Sequence, residues 1–158
     1  MKIPHMRTID GIPPPPHMHT RAITAELVGT YLLALAVHLS LFGTIPVATP
    51  VLAGLTLGLC VYVFGSVSGA HCNPAVTLGL LSTRKIEALD ALGYIVAQCL
   101  GGLLAWVSVR VVLGSVVDVS ALLTPLQPWL VGIAEALGAA VLVLGVSAIV
   151  WKRASEQA

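Results

Sequence analysis

Residues 68–81 read SGAHCNPAVTLGLL and set a histidine, an asparagine and a proline inside a chain that is otherwise close to continuous hydrocarbon. Of its 158 residues 57% are hydrophobic and 9% charged, with a mean hydropathy of +0.95, far above the level of a water-soluble domain. A bilayer core of about 30 Å needs about 20 mostly apolar residues per helical crossing. Four stretches meet that need: about 22–44, 50–67, 91–113 and 128–151. Barrel strands would alternate over short segments, whereas these runs are long and unbroken. The expected fold class is therefore an all-α membrane protein.

The quoted segment falls between the second and third spans. NPAVTLGLLS is apolar but too short to cross, since ten helical residues rise about 15 Å, half of the hydrocarbon thickness. The spacing predicts a re-entrant half-helix over 73–82. Asn73 is a good N-cap, and Pro74 suits the first helical position, where its missing N–H costs nothing. The positive end of the helix dipole then lies near the midplane. Irregular backbone at that depth survives only when buried in protein or lining a watery cavity. Gly69, Ala70, His71 and Cys72 are accordingly expected to offer a ladder of carbonyl acceptors, with the Asn73 amide as donor at its end. A neutral hydrogen-bonding solute exchanges its water for these groups at little net cost, while a cation meets the dipole's repulsion. The chemistry is permeation. No nucleophile–base pair, metal-ligand cluster or phosphate-binding loop points to an enzyme, and neither a cofactor, a bound metal nor nucleic acid is expected.

Charge sets the orientation. Lys2, Arg7 and Arg21 precede the first span, Arg84 and Lys85 lie between the second and third, and Lys152 and Arg153 follow the fourth. An even number of spans puts these regions on one side, which the positive-inside rule makes the cytoplasm, with both termini there. Arg110, near the outer end of span three, is read as snorkelling to the interface. Residues 1–21, with Pro13 to Pro16, read as a flexible cytoplasmic tail containing His5, His17 and His19, and 152–158 as a second tail. Cys60, Cys72 and Cys99 read as free thiols.

SGAHCNPAVT resembles the first signature loop of the major intrinsic proteins, the aquaporin and glycerol-channel family. AELVGTYLLALAV (25–37) is similar to the family's first span and YIVAQCLGG (94–102) to its third. The resemblance runs from Ala22 to the C-terminus. It implies pore residues Asn73, Pro74 and Ala75, and loop support from Glu26, Gln98 and Glu135. The family has two inverted repeats, and AEALGAAVLVLGV, from Ala134, aligns with the stretch from Ala25 at a constant offset of 109 residues. Glu135 then matches Glu26. The architecture implied is one repeat, of three spans and the half-helix, followed by the first span of a second repeat.

That offset puts a second NPA beyond Ala158, so the chain reads as truncated after its fourth span, as a gene fragment or as one part of a split channel. A dimer of oppositely inserted copies conflicts with the one-sided charge. By resemblance a filter position lies twenty residues before Asn73, at Ala53. Two readings of it stand: a mouth wide enough for glycerol-like solutes, or close packing beside the Gly54/Gly58 pair. His71 is read as bracing the loop, with pH gating as the other role. Cys72 is a mercurial target if its thiol reaches the lumen, and His38 is expected to have a bundle-facing partner. Function is read as a channel component for water or small uncharged solutes such as glycerol, with a nonconducting homologue that pairs with full-length subunits as the alternative. The implied partners are the lipid bilayer and either a homo-oligomer, a tetramer by resemblance, or a chain supplying the second repeat.

Overall fold

The computed structural model describes residues 16–42, 45–114 and 127–155. Five helices and no strand lie among them: α1 (Pro16–Leu41), α2 (Thr49–Phe64), α3 (Pro74–Ser82), α4 (Ala88–Leu113) and α5 (Pro128–Ser155). Within the described residues, His19–Leu41 and Ala88–Leu113 are long and apolar enough to cross a membrane, while α2 and the apolar part of α5 are shorter.

Helix α1 begins at Pro16 rather than at residue 22, so part of the expected flexible tail is helical. Proline is tolerated in a first helical turn because that N–H has no intrahelical acceptor. The early turns are also tied down: His19 Nδ1 lies 2.9 Å from Oδ1 of the buried Asp90 on α4. His19 is thus paired and not a solvated tail histidine. Residues 1–15, including His5 and most of the proline run, fall outside the described residues, as do 43–44, 115–126 and 156–158.

The most extensive packing joins α1 to α4. On α4 the buried positions Ala91, Tyr94, Ala97, Gln98, Gly101, Ala105 and Val109 recur every three or four residues and form one face. Leu89, Leu92, Val96, Leu100, Leu103 and Val107 are exposed. Small and polar side chains face the bundle and bulky apolar ones face outward. That is the order expected when the surrounding solvent is lipid and helix association depends on close approach.

Gly101 shows how close the approach is: a Cβ there would lie 2.5 Å from the Leu27 carbonyl oxygen and 3.0 Å from the Tyr31 nitrogen. Tyr31 and Ser108 hydroxyls, 3.3 Å apart, add a polar tie farther along the same crossing. Helix α2 packs on α1, and α5 packs on α3, where Val143 would meet a Cβ at Gly79 at 3.1 Å. His38 has a local partner, its Nδ1 lying 2.7 Å from the Ala34 carbonyl one turn earlier. No bundle-facing partner is required. Arg110 lies over the Trp106 ring, 5.7 Å from its centroid, so a cation–π contact accompanies its exposed position.

Gly101→Ala is expected to destabilise by about 1–3 kcal/mol, the range for overpacking a close contact. Gly102→Ala, where a Cβ meets nothing within 4 Å, is expected to stay within about 0.5 kcal/mol. Thermal unfolding of the two variants in the same detergent compares them directly.

Candidate functional site

After Phe64 the chain turns inward through residues 65–68 and runs without regular structure to Asn73. Gly69, Ala70 and Cys72 have φ values of 89°, 49° and 46°. Glycine enters that left-handed region freely, whereas alanine and cysteine are strained there by roughly 1–2 kcal/mol each. Something must hold them.

The restraint comes from α1. Glu26 is fully buried, and its carboxylate accepts four hydrogen bonds. Oε1 takes Ser68 Oγ–H at 2.5 Å and His71 N–H at 2.9 Å. Oε2 takes Cys72 N–H at 2.7 Å and Gln98 Nε2–H at 2.8 Å. Hydrogen bonds to a charged acceptor contribute about 1.5–3 kcal/mol each, so together they outweigh the backbone strain. Ser68 Oγ in turn accepts from Ala70 N–H at 3.0 Å. The amide protons of residues 70, 71 and 72 are therefore all directed at side-chain oxygens.

Two further side chains, to which the sequence alone assigns no role, close the network. Tyr94 donates its hydroxyl to the Ser68 carbonyl at 2.9 Å. Thr77, fully buried on α3, accepts from Gln98 Nε2 at 3.0 Å and lies 3.1 Å from His71 Nδ1. The Tyr94 and His71 rings meet edge to face, 5.1 Å between centroids. His71 is thus a brace between α3 and α4. The available signal was spacing: Tyr94 stands four residues before Gln98, hence on the same face of an apolar helix.

At the start of α3, Asn73 Oδ1 accepts from Ala75 N–H at 2.7 Å, with Pro74 in the first turn. Its oxygen is committed to the cap, which leaves its amide N–H groups as donors. Among the described residues no hydrogen bond is made to the carbonyls of Gly69, Ala70, His71 or Cys72. The loop therefore keeps its donors bound inward and its acceptors available. The far end of α3 closes with Arg84 at φ 56° and Lys85 N–H on the Leu80 carbonyl at 2.8 Å, a Schellman-type stop without glycine.

Other candidate residues lie elsewhere. Cys60, Cys72 and Cys99 are free, and Cys72 is buried beside Cys60 and Gly29, where a Cβ would approach its sulfur to 2.6 Å. The Cys72 thiol is packed between α1 and α2, which removes the basis for placing it in a lumen. Ala53 is half-buried on α2, and Gly54 and Gly58 seat no helix among the described residues, since a Cβ at either meets nothing within 4 Å. Glu135 is exposed on α5, whose helix contacts among the described residues are with α3.

The family model described as "Major intrinsic protein" matches residues 16–158. The glycerol uptake facilitator protein-like 6 of Lactiplantibacillus plantarum is 42% identical over 95 residues, covering 57% of this chain and 43% of that protein. Aquaporin-1 of Ovis aries is 44% identical over 75 residues, covering 48% of this chain and 28% of its own length. Aquaporin Z of Photorhabdus laumondii is 36% identical over 93 residues, 54% of this chain and 40% of that one. The chain spans less than half the length of these relatives.

Glu26→Ala strands four buried donors and is expected to destabilise by at least about 3 kcal/mol. Glu135→Ala, at an exposed position, is expected to stay within about 0.5 kcal/mol. Denaturation midpoints in detergent distinguish them, and equal losses would refute the assigned roles.

Proposed function

The chain belongs to the major intrinsic protein family, and on that premise we propose that it is a component of a membrane channel for passive permeation of water or small uncharged solutes such as glycerol, lined by the NPA loop. The process forms and breaks no covalent bond, so no catalytic residue or cofactor is needed. The observation that carries this reading is the split between donors and acceptors in the loop. Residues 70–72 direct every N–H to Ser68 or Glu26, while the carbonyls of 69–72 accept nothing among the described residues.

A carbonyl left in that state within a membrane protein costs several kcal/mol unless something donates to it. Water and polyols carry hydroxyl donors and meet that need in succession along the ladder. The Asn73 amide supplies donors to the oxygen of the same solute. The amino end of α3 puts positive partial charge at this point, which favours neutral solutes over cations. In this reading Pro74 and Ala75 form the turn that aims Asn73, and Ala53 marks the wider entrance. The bilayer surrounds a multi-pass domain with both termini cytoplasmic, oriented by its basic residues.

The pore is completed by a facing half, from a further polypeptide segment or from other copies in an oligomer such as a tetramer. The exposed apolar side chains on α5, Ile133, Leu137, Val141 and Leu144, favour such a partner. They equally suit the second reading, a nonconducting homologue that associates with full-length subunits.

Osmotic shrinkage of proteoliposomes tests both readings, using the chain alone and the chain co-reconstituted with a family polypeptide that carries the second NPA loop. The channel reading expects permeability above empty vesicles in at least one case, with loss on Asn73→Leu. Permeability equal to empty vesicles in both cases overturns it. In a conducting sample Ala53→Phe is expected to lower glycerol flux several-fold relative to water, because one aromatic ring narrows the entrance for the larger solute first.

A further inference from the structure

Helix α2 has 16 residues and rises about 24 Å, short of a full hydrocarbon crossing. It stops at Phe64 because the chain turns in to form the NPA loop. Beside the amino-terminal turns of α1, on the side away from α4's Asp90, a cleft of about 330 Å³ lies between α1 and the end of α2. Val28, Phe64 and Val67 line it with hydrocarbon, and Thr20, Arg21 and Thr24 add polar groups from the first turns of α1. The Thr24 hydroxyl proton is given to the Thr20 carbonyl at 2.9 Å. Arg21 is exposed, and among the described residues no acidic side chain lines the cleft. The site is amphiphilic, with the positive Arg21 side chain above an apolar floor.

We propose that this cleft holds an acyl chain of an anionic phospholipid, with the headgroup phosphate on Arg21. Water is a poor occupant of the floor, which offers none of the two to four polar partners a buried water needs. A lipid chain is present at that depth in any bilayer. The guanidinium presents planar paired donors that match phosphate oxygens. One basic residue near an anionic lipid surface contributes about 1 kcal/mol, about five-fold in affinity. The inference rests on the membrane location of the chain and not on conduction, so a failed permeability test leaves it standing.

The test titrates the full chain in detergent with phosphatidylglycerol and with phosphatidylcholine of the same acyl chains, reading bound lipid by native mass spectrometry and the unfolding midpoint. Phosphatidylglycerol is expected to be retained about five-fold better, with Arg21→Gln removing that preference and Arg84→Gln preserving it. Val28→Trp, which fills the floor, is expected to lower retention of both lipids. A preference that survives Arg21→Gln overturns the proposal, as does one lost equally with Arg84→Gln, which reports general surface charge. Inorganic phosphate giving the same stabilisation would assign the site to a free anion and overturn it too. So would a Val28→Trp variant that changes oligomeric state with lipid retention unchanged, since another copy of the chain would then be the occupant.

Discussion

The Glu26 carboxylate, buried within α1 and saturated by four donors, is the constraint on which the other features of the loop depend. An irregular backbone at membrane depth must satisfy its polar groups inside the protein. Glu26 does this for His71 and Cys72 at once, and through Ser68 for Ala70. Because one side chain collects these donors, the chain between α2 and α3 can hold left-handed residues that are not glycine. The same bonds leave the carbonyls as the groups still available. Support and acceptor ladder are thus two consequences of one interaction.

That interaction depends on helices that approach closely. Gly101 lets α4 lie against the α1 backbone, and Gly29 leaves room for the Cys72 sulfur. Gln98 reaches Glu26 from α4 and also meets Thr77 on α3. The network therefore ties three helices and the loop into one polar core, while bulky apolar side chains of α4 cover the outside. Interior polarity with apolar exposure inverts the pattern of a soluble protein, and membrane solvent favours it because lipid offers no hydrogen bonds.

Glu26 and Glu135 share a sequence context and have different surroundings. Glu26 is fully buried; Glu135 is exposed on α5. A repeated motif specifies a carboxylate on one helix face, but its donors come from elements distant in the chain. For Glu26 those donors lie 42, 45, 46 and 72 residues away. No equivalent set surrounds Glu135 among the described residues.

The residue pattern was enough to identify an all-helical membrane chain and a short helix beginning after Asn73, since both follow from local rules. Span length is fixed by bilayer thickness, and Asn-Pro is a cap followed by a first-turn residue whatever surrounds it. Helix α1 starting at Pro16 escaped that reading because its early turns gain a partner, Asp90, from 71 residues away. Tyr94, Ser68 and Thr77 escaped it because a hydroxyl's partner is set by which helix faces it. The packing around Cys72 and the open flank of Gly54 and Gly58 are likewise decided by neighbours. Local sequence determined where helices begin and which solvent surrounds them; tertiary structure decided which polar groups are spent on each other and which remain, because those bonds join residues that only folding brings within about 3 Å.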